Sequence, residues 1–126
     1  YTLSLHDALP ICDFNPMPVN RNRISIDRGL FQLNDHAFPD LSGDDWFDPE
    51  LNADRGLNHL KWCLKHGGNE IVALAIYNAG KYRVERGGTP RSTLDHINKI
   101  LTYRDTLEER FHTYISTRPA VEIAMR

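Results

Sequence analysis

IVALAIYNAG, residues 71 to 80, sets seven apolar or aromatic residues in a row before Asn78, Ala79 and Gly80 close the run. A run this short is compatible with a buried strand, but Ala73, Ala75 and Ala79 are good helix formers and poor strand formers. A helix apolar on every side has to be wrapped by other helices. Gly80 then offers the left-handed conformation that stops a helix. Tyr77 and Asn78 put a phenol and an amide at the end of this rod. Two readings stay open for them: a polar C-cap on a core helix, or polar groups directed into a site.

Upstream, Asp48-Pro49-Glu50 has the form of a helix start, with an N-cap, a proline in the first position and an early acid. That helix carries Ala53, Leu57, Leu60 and Leu64 on one face and stops at Gly67-Gly68. Downstream, KYRVERGGTP (Lys81 to Pro90) reads as a basic, glycine-containing loop. Ser92 with Asp95 makes a capping box for a last long helix. Leu94, Ile97, Leu101, Leu107 and Phe111 form its broad apolar stripe, and Pro119 marks its latest end. Further back, Asp13 to Ile24 holds two prolines and three asparagines and reads as an ordered loop. In SIDRGLFQLN (Ser25 to Asn34), Gly29 suits a tight turn, and the amide of Gln32 sits among Leu30, Phe31 and Leu33. An amide in that setting needs a partner, from the protein or from a ligand. No strand pattern emerges, so the expected class is all-α.

The 126 residues suffice for one domain with one core. A net charge of −2 argues against a nucleic-acid footprint. No apolar run approaches the roughly 20 residues of a bilayer span. Cys12 and Cys63, the only cysteines, are too few for a disulfide scaffold and leave the compartment undefined.

YTLSLHDALPI (Tyr1 to Ile11) lacks the basic start and long apolar centre of a secretory signal. It matches, residue for residue, the translation of a common short-read sequencing adapter. The adapter leaves one T to open the next codon, so a serine codon AGC or AGT at position 12 would be read as Cys12. Residues 1–11 are therefore expected to be foreign to the fold. Leu5 and Leu9, spaced for one helix face, are the feature a native amphipathic segment would explain.

Two clusters resemble metal sites. Asp40, Asp44, Asp45, Asp48 and Glu50 crowd one loop, but an EF-hand starting at Asp40 would have Asp45 in place of glycine and Leu51 in place of the final glutamate. Solvated acids and a helix cap account for the run. His59, Cys63 and His66 stand at i, i+4 and i+7 of one helix and cannot close a tetrahedron without a fourth ligand. The simpler reading is a semi-buried cysteine between two histidines, so no metal is expected. No phosphate loop, zinc-protease helix or nucleophile elbow is present.

FNP at 14–16, GLFQLN at 29–34, DPELNADRGLNHL at 48–60, AIYNAG at 75–80 and GGTPRSTLDHI at 87–97 follow one another in a specific order and spacing. Together they resemble the soluble lytic transglycosylase type domain of the lysozyme-like superfamily, over roughly residues 12–104. SIDRGLFQLN is also similar to a segment of animal-type lysozyme. The resemblance implies a lysozyme-like helical domain lacking its genuine first helix, with 1–11 foreign, 12–104 the domain, and 105–126 the end of the last helix and a tail.

The activity implied is cleavage of the β-1,4 bond between N-acetylmuramic acid and N-acetylglucosamine in bacterial peptidoglycan, with a 1,6-anhydro product and no cofactor. One glutamate protonates the bridging oxygen and then assists the muramic C6 hydroxyl, a role that needs a carboxyl kept protonated by an apolar pocket. Family members carry it in a Glu-Ser pair just before the F-N-P loop. Here Cys12 falls on the serine and Ile11 on the glutamate, so this chain is expected to be inactive. Asp27 matches the second carboxylate of animal lysozyme and would play a supporting role. It reads equally as an Asx-turn residue before Gly29. By the same resemblance Gln32, Tyr77 and Asn78 line the saccharide groove. His96 stands where the family usually has a tyrosine, and either side chain can donate a hydrogen bond and stack on a sugar. The implied partners are peptidoglycan glycan strands, bound by a monomer in the bacterial cell envelope. A muramidase that delivers water, a non-catalytic glycan-binding domain of the same fold, and a purely structural helical domain are the alternatives.

Overall fold

The structure is a computed structural model, described here for residues 15–118. Residues 1–14 lie outside the described residues, and with them the expected adapter segment, Cys12 and the acid position at Ile11; so do residues 119–126.

Helices dominate, as the all-α expectation requires. Strands β1 (Val19–Arg21), β2 (Ile26–Arg28) and β3 (Leu33–Asn34) come first, followed by a 3-10 turn at Gly43–Phe47. Four helices complete the order: α1 (Pro49–Gly67), α2 (Glu70–Ala79), α3 (Lys81–Glu85) and α4 (Arg91–Thr117).

The small antiparallel sheet is a departure from the sequence reading. Its order is β1-β2-β3, with Asn20 opposite Asp27 and Asp27 opposite Asn34. Strands of two or three residues are too short to show alternation, and turns create them. Asn22 N–H bonds the carbonyl of Ser25 at 2.8 Å, and Gln32 N–H bonds that of Gly29 at 3.0 Å. Gly29 has φ +79, and a Cβ there would run into the carbonyl of Trp46 and the amide of Asn52. Only glycine meets both demands.

Helix α1 begins and ends where expected. Asp48 Oδ1 accepts from Leu51 N–H at 2.8 Å. Gly68, at φ 72, stops the helix in the left-handed conformation. Its buried line, however, is Asn52, Gly56, Leu60 and Cys63; Ala53, Leu57 and Leu64 flank it, half-buried. A Cβ on Gly56 would strike the Phe31 ring, so this glycine lets the sheet turn press against α1.

Helix α2 is the buried rod: Ala73, Leu74, Ala75 and Ile76 are all buried, packed by α1 on one side and α4 on the other. Gly80 ends it differently from the expectation. Its φ of 86 and ψ of 142 lie outside the left-handed helical well, and the chain passes directly into α3. The basic loop therefore contains a short helix. The capping box also does not form: Pro90 is the N-cap of α4, and no side chain caps that end. Thr93, Ile97 and Ile100 make the buried face of α4, whereas Leu94 and Phe111 are exposed.

Candidate functional site

A groove of about 690 Å³ opens between the sheet and the ends of the helices. All five residues picked out by the sequence, Asp27, Gln32, Tyr77, Asn78 and His96, line it.

Asp27 enters from the middle strand, half-buried. Its Oδ1 accepts from Asn34 Nδ2 at 2.7 Å and its Oδ2 from Asn22 Nδ2 at 2.8 Å. Ser25 Oγ accepts from the same two amides, at 2.9 Å from Asn34 and 3.3 Å from Asn22. Asp27 is thus a strand residue in an amide network, which replaces the Asx-turn reading.

Gln32 finds its partners in the protein. Its Nε2 donates to the carbonyls of Gly29 at 3.0 Å and Pro18 at 3.2 Å, and its backbone takes φ 50. Both contacts engage the amide nitrogen, so the remaining polar atom of the side chain is its acceptor Oε1.

The Tyr77 hydroxyl donates to the carbonyl of Phe31 at 2.8 Å. Burial pushes this phenol far above its ordinary pKa, and the nearby Cys63 and Asp27 push the same way. It is a fixed donor and no base. Asn78 is exposed, and its Oδ1 accepts from the Thr93 hydroxyl at 2.7 Å. The helix is capped instead by Gly80 N–H on the carbonyl of Ile76, at 2.8 Å. Asn78 is therefore no C-cap, and its two amide protons stay available at the groove. His96 is half-buried; burial first, and then Lys99, hold its imidazole below the ordinary value.

Periodicity missed four contributors. Asn52, fully buried, accepts from Phe31 N–H at 2.7 Å and donates to the carbonyls of Trp46 at 2.9 Å and Arg28 at 3.2 Å. It fixes the strand and turn that present Asp27 and Gln32. Thr93, also buried, orients Asn78. His59 and Trp62 line the groove from α1. In the trio His59, Cys63 and His66, His66 turns to a backbone carbonyl and His59 approaches the cysteine. His66 Nδ1 lies 2.8 Å from the carbonyl of Trp62, and His59 Nε2 lies 3.9 Å from Cys63 Sγ. Burial pushes the Cys63 thiol up to about 12, which keeps it protonated. Among the described residues no group of three His, Cys, Asp or Glu side chains could hold a metal ion. Three acids of the 40–50 loop have partners of their own: Asp40 pairs with Arg55 at 2.6 Å, Asp45 accepts from Ser42 N–H at 3.1 Å, and Asp48 caps α1.

The groove is thus lined with amides and hydroxyls together with Lys81 and Arg83, a chemistry that suits a many-hydroxyl ligand and accepts an anionic group on it. Among its described lining residues Asp27 is the one carboxylate. No described helix is long and apolar enough to cross a membrane. No solved structure gives a significant match to the chain. The family model of the transglycosylase SLT domain matches residues 12–100, and Ile100 is also where the buried face of α4 ends. With its motifs and its amide-lined groove inside that match, and the last helix running on past it, the chain belongs to the transglycosylase SLT domain family, a lytic transglycosylase-like family.

Proposed function

We propose that the groove takes a peptidoglycan glycan strand, and that this chain, with Ile11 at the acid position, holds the strand without cleaving it. The observation that carries the reading is the state of Asp27, the single described carboxylate of the groove, with both oxygens already accepting from Asn22 and Asn34. A group so engaged can position a ligand or balance developing positive charge. It is badly placed to hand over a proton.

Lytic cleavage needs one carboxyl for two transfers. It gives its proton to the bridging oxygen as the C1–O4 bond breaks, then takes the proton of the muramic C6 hydroxyl as that oxygen closes on C1. The carboxyl ends as it began, water is not consumed, and no cofactor is required. Asp27 supports such a reaction by stabilising the cationic character at C1. Gln32, Asn78 and His96 hold hydroxyl and acetamido groups. Peptidoglycan lies in the bacterial cell envelope, which makes that the place of action.

The test is digestion of purified sacculi, with products read by mass spectrometry. The chain as written should release nothing above background. The chain with residues 1–12 exchanged for a genuine SLT-type first helix ending in Glu-Ser should release 1,6-anhydro-muropeptides at a rate higher by about 10²–10⁴-fold, the usual worth of a positioned general acid. Reducing-end products from the chain with its first helix restored would instead assign a muramidase. Cleavage by the chain as written would overturn the inactive reading.

A further inference from the structure

Trp62 is an unusual side chain to leave in the open. It is 41% exposed and lines the groove, whereas the other tryptophan, Trp46, is 6% exposed within the core. Its neighbours Lys61 and Lys65 give the same helix an ordinary solvated surface. Two histidines of the same helix brace the ring. His59, three residues earlier, lies parallel to it, with an interplanar angle of 10° and centroids 5.7 Å apart. His66, four residues later, sits 4.1 Å away and bonds the Trp62 carbonyl through Nδ1. His59 also reaches Tyr77 at 5.1 Å and Phe38 at 5.6 Å, so the aromatic series runs from the exposed indole to the buried phenol beside Asn78.

Resting on the reading of the groove as a glycan site, we infer that the Trp62 indole, braced by His59 and His66, is a stacking platform for one pyranose ring of the bound strand. A pyranose has a C–H face with little polarity and a rim of hydroxyls. An indole face offers matching flat apolar area and a negative quadrupole toward those C–H groups. Bracing matters because a ring already fixed in place loses little freedom when the sugar arrives. Burial also holds the His59 imidazole below its ordinary value, so the ring beside the indole is neutral near pH 7 and brings no charge to be desolvated by the sugar. The amides recognise hydroxyl and acetamido groups, while Trp62 supplies affinity along the strand that does not depend on which sugar lies on it.

The probe is a peptide-free hexasaccharide of alternating N-acetylglucosamine and N-acetylmuramic acid, titrated by calorimetry and by tryptophan emission. Trp62→Ala should weaken binding about tenfold, equivalent to about 1.4 kcal/mol. Trp62→Phe should keep most of the affinity. Emission of the wild-type chain should shift to the blue on binding, and Trp62→Phe, with only buried Trp46 left to report, should show no shift. If Asn78→Asp weakens binding while Trp62→Ala leaves it unchanged, the platform is overturned and the groove reading stands. Loss with Trp62→Ala but not with Asn78→Asp keeps the platform and removes the amides from the site. A wild-type chain that does not bind the hexasaccharide overturns both readings.

Discussion

The Tyr77 hydroxyl and the Phe31 carbonyl, 46 residues apart in sequence, are joined by a 2.8 Å hydrogen bond. Tyr77 also packs against all three hydrophobic clusters of the core: the Phe31–Trp46 group, the Leu60–Ile100 group and the Cys63–Ile76 group. One phenol therefore ties the end of the buried helix to the turn that presents Gln32. The structure gives this hydroxyl a positioning contact, beside the place in the saccharide groove that the resemblance implies for Tyr77.

Tyr77→Phe should consequently lower stability first. The ring still fills its place, but the Phe31 carbonyl loses its donor in a buried setting, at a cost of about 1–3 kcal/mol. Urea unfolding with an unchanged slope and an earlier midpoint is the expected result. Weakened glycan binding at unchanged stability would mean that the hydroxyl serves the ligand instead.

Asn52→Ala should cost more. Three hydrogen bonds meet on this fully buried amide, and its loss leaves the Phe31 N–H and the carbonyls of Trp46 and Arg28 without it. The expected loss is about 3 kcal/mol or more, a large share of the 5–15 kcal/mol typical of a domain. A midpoint within error of the wild-type chain would show that water replaces the amide freely.

The sequence showed some of this and could not show the rest. Asp48-Pro49-Glu50 and Gly67-Gly68 are local signals with local causes, and both ends of α1 lie where they point. Ser92 and Asp95 fit a capping box, but Pro90 fixes the chain two residues earlier and the helix starts at Arg91. Helical periodicity counts apolar residues, so Asn52 was passed over although it lies on the same buried line as Leu60 and Cys63. The sheet rests on pairing across turns, and β1, wholly exposed, leaves no hydrophobic trace. Residues of the groove were legible as types. That Gln32 would spend its donors on Pro18 and Gly29, or Asn78 its acceptor on Thr93, is decided by contacts distant in sequence.

Two imidazoles make the fold sensitive to mild acid. Burial holds His59 below the ordinary value of 6.5, and burial with Lys99 does the same for His96. The unfolded chain therefore takes up these protons first as pH falls. Stability is complete above 6.5 and declines as pH drops below it, until the folded imidazoles also become charged. Urea midpoints at about pH 7.5 and about pH 5.5, above the range of ordinary carboxylates, should show the decline. His59→Gln should make the profile flatter. A profile that does not change between those two values would contradict this account.

Asn78 can be divided into its two functions by one substitution. Its Oδ1 accepts from Thr93, whose side chain is 2% exposed, so Asn78→Ala strands a buried hydroxyl and confuses stability with binding. Asn78→Asp keeps an acceptor for Thr93 and removes both amide protons; it also adds a negative charge, and titration at high salt screens that charge from the muramic carboxylates. If those protons meet the hydroxyl or acetamido oxygens of a glycan, the aspartate variant should melt within a degree or two of the wild-type chain and bind the hexasaccharide more weakly by about 1–3 kcal/mol. Thr93→Val removes the other half of the pair; it should lower stability and alter binding only as far as Asn78 loses its orientation. A double-mutant cycle on the two positions then separates support from contact. Equal binding by the wild-type and aspartate chains would reduce Asn78 to a brace between α2 and α4, leaving sugar recognition to Gln32, His96 and the sheet.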